Sequence, residues 1–257
     1  MMHAEDRERT ILSLLENRGF VSFRELDQHI KASPATVRRD LERLATEGRI
    51  VRVHGGAKVP QSPPGLVGVP FHDNVKKHAA AKRAIGKAAA ALCAPGESII
   101  IDGGSTTLQM CPHLTNLSLQ VLTNSLHIVS ALLHQEKTRV SLPAGTLFRE
   151  QNIVLSPFDD DGSAHFLAST MFIGAAGVGR EGLMQTDVIL LRAERRLMAR
   201  AKSLVLLADS SKFQSPSGEA VCGWDSIDTV ITDDGLAAAD ARMVRRAGVA
   251  LITVAAG

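Results

Sequence analysis

The chain has 257 residues, 45% hydrophobic and 22% charged, with a mean hydropathy of +0.06, which supplies a sizeable core and argues against disorder. Aromatics make up 4% and Tyr is absent, which argues against stacked aromatic platforms for single-stranded nucleic acid. The 29 basic and 27 acidic residues leave +2, so any nucleic-acid surface must be local.

Cys93, Cys111 and Cys222 are odd in number and lack metal-ligand spacing, as reduced thiols would be. The start MMHAEDRERTILSLL has no long apolar run, and no segment approaches the roughly 20 residues that span a bilayer. A cytoplasmic protein with no membrane anchor, metal or cofactor is expected.

In chain order, Ile11, Leu14 and Leu15 recur at helical spacing and Arg18-Gly19 ends that helix. Ser22-Phe23-Arg24-Glu25 has capping-box spacing, which predicts a short second helix with Leu26 and Ile30 facing inward. Ser33 as N-cap and Pro34 at the first position start a third helix, which Gly48 ends. On it Val37, Leu41 and Leu44 form an apolar stripe. At 100° per residue Arg39 points nearly opposite, with Ala35, Glu42 and Arg43 around it and Thr36 and Arg38 on the flanks. Small and basic side chains near a helix N-terminus suit a recognition helix in a major groove. RIVRVHGGAK (49–58) then alternates Ile50, Arg52 and His54 with Val51 and Val53 before a Gly pair, predicting a β-wing with a basic side. Each arginine alone fits a solvated surface; the ordered combination points to duplex DNA.

The stretch VSFRELDQHIKASPATVRRDLERLATEGRIVRVHGGA resembles the winged helix-turn-helix signature of the DeoR family of bacterial sugar-catabolism regulators, through its SPATVRRDL core and RVHGGA wing. The resemblance implies recognition-helix contacts from Ser33, Thr36, Arg38 and Arg39, and wing contacts from Arg52, His54 and Gly55.

KVPQSPPGLVGVP (58–70) is too rich in Pro and Gly for a helix or ladder and reads as a linker. The expected organisation is a DNA-binding domain at 1–58, a linker at 59–78 and an effector and oligomerisation domain at 79–257. Beyond the linker, strand-like runs at 98–101, 119–122, 203–208, 228–232 and 249–254 alternate with helical segments, predicting an α/β domain with a mostly parallel sheet. After the first run, Asp102-Gly103-Gly104-Ser105-Thr106-Thr107 offers backbone amides and hydroxyls to an anion, or forms a plain turn. Thr123-Asn124-Ser125 and Asp209-Ser210-Ser211-Lys212 also follow strands, and ligands of open α/β sheets bind beyond such ends. Asp187 and Glu194 offer acceptors to sugar hydroxyls, Asp187 serving equally well as a helix cap. Arg192 and Arg196 fit a solvated helix face or an anion pocket. GAAGVG (174–179) lacks dinucleotide spacing and reads as a backbone turn.

This half, too, is similar to the DeoR family, whose effector domain has a ribose-5-phosphate isomerase-like fold. The matching pieces are KRAIGKAA, ESIIIDGGST, VLTNS, MFIGAAGV, Asp187, Glu194 and LADSSKF. Ala144-Gly145 stands where the family has a Gly pair, and QNIVLSP (151–157) is similar to the branch that represses L-ascorbate utilisation. The resemblance implies a non-enzymatic repressor of a carbohydrate operon. Its partners would be double-stranded operator DNA, a phosphorylated sugar or sugar-acid effector, and further copies in a homodimer or homotetramer. The competing reading is a sugar-phosphate isomerase with an added DNA-binding domain, using Asp102, Asp187, Glu194 and Lys212 for acid-base chemistry.

Overall fold

The computed structural model describes residues 4–18, 20–30, 32–46, 49–53, 55–58, 71–157, 160–214 and 218–256. The chain divides into two compact units, Met1–Leu66 and Val67–Gly257.

In the first unit, helices α1 (Ala4–Arg18), α2 (Phe23–His29) and α3 (Pro34–Thr46) are joined by strands β1 (Phe20–Ser22), β2 (Val51–Val53) and β3 (Gly56–Lys58). The strands form an antiparallel sheet ordered β1-β3-β2, so the wing hairpin is tied back to the strand preceding α2. One core holds the unit together: Ile11 and Leu15 of α1, Leu26 of α2, and Val37, Leu41 and Leu44 of α3, with Ile50 and Ala57 from the wing. The predicted apolar stripe of α3 is therefore its buried face. Ile50 is buried while Val51 and Arg52 are exposed, so the wing does not follow the simple alternation expected. A Cβ on Gly56 would lie 2.2 Å from the carbonyl oxygen of Val21, which only glycine avoids at this strand contact. His54 and the Gly48 stop signal lie outside the described residues.

The capping box predicted at Ser22 is present. Its Oγ accepts the amide of Glu25 at 3.3 Å, while the Glu25 carboxylate accepts the amide of Ser22 at 2.8 Å. Ser22→Ala is expected to lower the stability of this unit by about 1 kcal/mol, measured by urea denaturation of the full chain followed in the first unit.

The second unit opens with α4 (Phe71–Lys76) and α5 (Ala79–Ala90). Residues 71–78 were expected as linker, but Phe71 is buried, its ring stacked on His127 with centroids 4.0 Å apart. An apolar aromatic at the end of a Pro-rich stretch is a packing anchor rather than spacer. Residues 59–70 of the expected linker lie outside the described residues. The remaining elements are β4 (Ser98–Ile101), β5 (Gln120–Leu122), α6 (Leu126–Leu132), β6 (Arg139–Ser141), β7 (Thr146–Phe148), β8 (Ile153–Leu155), β9 (Ala168–Gly174), β10 (Gly177–Gly179), β11 (Gly182–Gln185), α7 (Val188–Met198), β12 (Ala201–Leu207), β13 (Glu219–Cys222), β14 (Thr229–Asp233), α8 (Ala238–Arg246) and β15 (Ala250–Val254).

Seven of these strands form a parallel sheet ordered β15-β14-β12-β9-β4-β5-β6. Successive side chains serve opposite faces. Ile100, Met171, Ile173, Leu204 and Leu206 join Leu191 and Leu197 of α7 and Val244 of α8 in one core. Ile99, Ile101, Phe172, Val205 and Leu207 join Ile85 of α5, Met110 of the short 3-10 turn Thr107–His113 and Ile128 of α6 in the other. Both faces are covered, as a parallel sheet requires. Strand order runs outward in both directions from the β4–β9 pair, so a crevice opens beyond their carboxyl ends. A short antiparallel sheet, β10-β11-β13, and the β7–β8 hairpin lie apart from the main sheet's ladder.

Candidate functional site

The first candidate surface is the exposed face of α3. Asp40, buried on the opposite face, takes a forked bond from Arg7 of α1: Nε to Oδ2 at 2.7 Å and Nη2 to Oδ1 at 3.3 Å. This clamp and the apolar stripe fix which side of α3 meets solvent. At its N-terminus the Ser33 Oγ accepts the Thr36 amide at 3.2 Å and lies 2.9 Å from the Thr36 hydroxyl. Arg38 and Arg39 are exposed one turn on. The Arg38 guanidinium sits 5.8 Å from the centre of the Phe23 ring, and Arg39 carries no side-chain bond to another described residue. Arg43 and Arg49 both pair with Glu8 of α1, the Arg43 contact being 2.6 Å, and these bonds hold the Glu8 carboxyl below the usual range. Arg52 of the wing pairs with Glu42 of α3 at 2.8 Å. Gly55 is exposed in the wing turn at φ +90. Ser33, Arg38 and Arg39 therefore form one exposed patch beside the half-buried Thr36, whereas Arg43 and Arg52 tie α3 to its neighbours.

The second surface is a cleft of about 820 Å³, open mouth included, at the reversal of strand order. Gly103, Gly104, Ser105 and Thr106 after β4, Gly174 to Ala176 after β9, Asn124 after β5 and Lys212 after β12 line it with Asp102. Glu194 of α7 and Gln185 of β11 close one wall; Phe71 and Asn74 of α4 and Gln151 close others. A Cβ at position 103 would meet Ile153 Cγ2 at 2.7 Å, so glycine lets the loop press against β8.

Four expected ligand contacts have other roles. Thr107 Oγ1 accepts the Gly104 amide at 2.9 Å and donates to the Asp102 carbonyl at 2.7 Å, buckling the loop from inside. Thr123 Oγ1 accepts the Ser125 amide at 3.1 Å, and Ser125 caps α6 through the Ile128 amide. Asp187 caps α7, its Oδ1 accepting the Ile189 amide at 2.8 Å. None of the four lines the cleft. Each junction leaves backbone amides that need partners, and the nearest short polar side chains supply them. Arg196 lies on the far side of α7 with Asp161, at 3.1 Å, in an adjoining groove that Arg192 also lines.

Sequence reasoning missed Phe71, Asn74, Gln151 and Gln185; only Gln185, at a strand end before a cap, carried a usable signal. It also passed over Lys82, buried on α5, whose Nζ donates to the Asn74 carbonyl. Burial lowers the Lys82 pKa, and Asp209 works against that shift.

The cleft holds two buried carboxyls. Burial raises Asp102 to about 6, opposed by the Gly103 and Gly174 amides. Burial, then the Asp102 charge, raises Glu194 to about 8. In the unfolded chain both ionise near ordinary carboxyl values, so their contribution to stability is full at low pH and is lost as pH rises through the folded values. The melting temperature is expected to fall between about pH 4.5 and 8. Glu194→Gln should flatten the upper part of that fall, read by calorimetry at matched ionic strength.

Among the described residues no group of three or more His, Cys, Asp or Glu is placed to hold a metal, and no helix is long and apolar enough to cross a membrane. Compared with known families, residues 7–63 match the DeoR-like helix-turn-helix domain and residues 77–234 the DeoR C-terminal sensor domain. The chain belongs to the DeoR family. This DeoR-family protein is a DNA-binding transcriptional regulator with a C-terminal sensor domain, from a family that is not enzymatic, so the isomerase reading is set aside. The helix-turn-helix implies DNA as a partner and the sensor an effector ligand. The DeoR-family chain is 31% identical over 254 residues to the HTH-type transcriptional regulator UlaR of Shigella dysenteriae serotype 1, covering 98% of this chain and 100% of that one. It is 32% identical over 232 residues to UlaR of Escherichia coli K12, covering 90% and 91%. Its fold is similar to ribose 5-phosphate isomerase A of Methanocaldococcus jannaschii (TM-score 0.38, 19% identity, 51% of this chain and 53% of that one). It is also similar to the Pyrococcus horikoshii translation initiation factor eIF-2B (TM-score 0.42, 14% identity, 88% and 86%).

Proposed function

We propose that this regulator is a cytoplasmic repressor of a carbohydrate catabolic operon, and that a phosphorylated sugar or sugar acid bound in the cleft changes its hold on the operator. The observation that carries this reading is the make-up of the cleft. The amides and hydroxyls of Ser105 and Thr106 with Lys212 suit a phosphate dianion, while Asn124, Gln151, Gln185 and Glu194 suit the oxygens of a sugar chain. In this reading residues 1–58 read DNA, 79–257 sense and assemble, and 59–78 join them, with α4 already walling the cleft. Assembly as a homodimer or homotetramer follows from economy of contact: one recognition helix reads a few base pairs, and paired modules about 34 Å apart supply the rest.

The test is a thermal-shift panel of sugar phosphates, phosphorylated sugar acids and their unphosphorylated parents, followed by operator binding with each hit. A ligand that binds only the folded state raises the melting temperature, and by linkage a true effector changes operator affinity. A shift from phosphorylated compounds alone, with operator release, supports the reading. Equal shifts from the unphosphorylated parents, or hits that leave operator affinity unchanged, refute it.

A further inference from the structure

Glu194 stands in the cleft with one oxygen engaged and one not. The Thr186 amide donates to Gln185 Oε1 at 3.0 Å, which fixes the orientation of the Gln185 amide. Gln185 Nε2 therefore points at Glu194 and donates to its Oε1 at 2.7 Å. Glu194 Oε2 is buried and has no partner among the described residues. Asn124 Oδ1, on the same cleft, is buried and likewise has no partner among the described residues. A buried polar atom aimed into a ligand cleft without a partner points to a partner on the ligand.

The surroundings decide which form of Glu194 meets it. Of the elements packed on α7, β13 contributes the Cys222 thiol and the exposed Glu219, β12 contributes Lys202, exposed, and β11 carries no charge; the loop after β4 brings Asp102 to the same cleft. On α7 itself, Asp187 adds a like charge, and Arg195 is turned away to the carbonyls of Val221 and Ala220 at 2.8 and 2.7 Å. Lys212 faces the cleft from the far strand loop. Two carboxyls share one desolvated cleft, and the amides of Gly103 and Gly174 favour the charge on Asp102.

We propose that Glu194 receives the effector as a neutral carboxylic acid, its Oε2–H donating to a carboxylate or carbonyl oxygen, so that the cleft selects phosphorylated sugar acids over phosphorylated polyols. This rests on the reading of the cleft as the effector site, and it reverses the sequence expectation that Glu194 accepts from sugar hydroxyls. The high pKa of the group, about 8, agrees with it.

The test compares 6-phosphogluconate with sorbitol 6-phosphate, equal in length and phosphate, by calorimetric titration of the full-length protein between pH 6 and 9. Expected for the wild type are tighter binding of the acid and an affinity for it that falls about tenfold per pH unit above about 8, with no such fall for the polyol. Glu194→Gln, whose amide is a permanent donor in the same place, should lose the pH dependence and keep the preference for the acid; Glu194→Ala should lose the preference. Equal binding of the two probes, no alkaline fall, or loss of the preference in Glu194→Gln would each overturn the proposal while leaving a phosphate cleft intact. Infrared difference spectra of wild type minus Glu194→Gln at pH 7, without ligand, give a second readout. A protonated-carboxyl carbonyl band supports the proposal and its absence overturns it. If neither probe binds, the effector class falls and the infrared band alone decides the state of Glu194.

Discussion

Arg39→Ala is expected to lower operator affinity by about 1 to 3 kcal/mol, five- to 150-fold, and to flatten discrimination at one base pair. The expectation follows from the contrast among the arginines of α3. Arg38 lies over the Phe23 ring and Arg43 is held by Glu8, whereas Arg39 is exposed and without a bond to another described residue, near the end of the helix that carries Ser33 and Thr36. A side chain without a partner among the described residues breaks no protein bond when it forms a forked bond to a guanine edge. Arg52→Ala should behave differently. Its pair with Glu42 is exposed and exchangeable, so the wing arginine can turn to a phosphate, and its loss should weaken all duplexes alike and reduce the salt slope by about one. Fluorescence anisotropy with operator and scrambled duplexes at several salt concentrations separates the two. An Arg39→Ala protein that keeps full discrimination would place base reading elsewhere.

Lys212→Ala is expected to weaken the effector by about 1.5 to 3 kcal/mol, because a charge-assisted bond to a phosphate is lost in a partly desolvated cleft. Lys212 is half-buried and follows β12, on the far side of β9 from the loop after β4 that carries Ser105 and Thr106. The loss should appear as a rightward shift of effector concentration in operator-release curves, with the effector-free affinity as the reference. Ser105→Ala should shift the same curve less, since it removes a neutral hydroxyl from the same end. If neither variant moves the curve, the phosphate binds elsewhere.

Local chemistry was the legible part of this sequence. The Ser22–Glu25 box, the Ser33–Pro34 start and the Val37, Leu41, Leu44 stripe act within one or two turns, and five sheet strands stand within two residues of where their apolar runs put them. The seven-residue β9 at the centre of the sheet was not read from its pattern: ASTMFIG shows no alternation, because both its faces are buried. Hydroxyls and carboxylates at strand ends look alike in sequence whether they face a ligand or cap a helix. Ser105 and Thr106 line the cleft, while Thr107, Thr123, Ser125 and Asp187 were claimed by nearby amides. Phe71, Gln151 and Gln185 reach the cleft only through tertiary placement, which no local spacing encodes.

The residues that line the cleft and the residues that hold the sheet together are almost separate populations. Among the described lining residues, Ala175 alone packs against either apolar core of the larger unit; the rest are loop, strand-end or helix positions outside those cores. Substitutions that retune recognition, at Gln151 for instance, therefore fall where deletion of core volume is not at stake. A lineage of such proteins can drift from one metabolite to another through mutations that the scaffold barely registers.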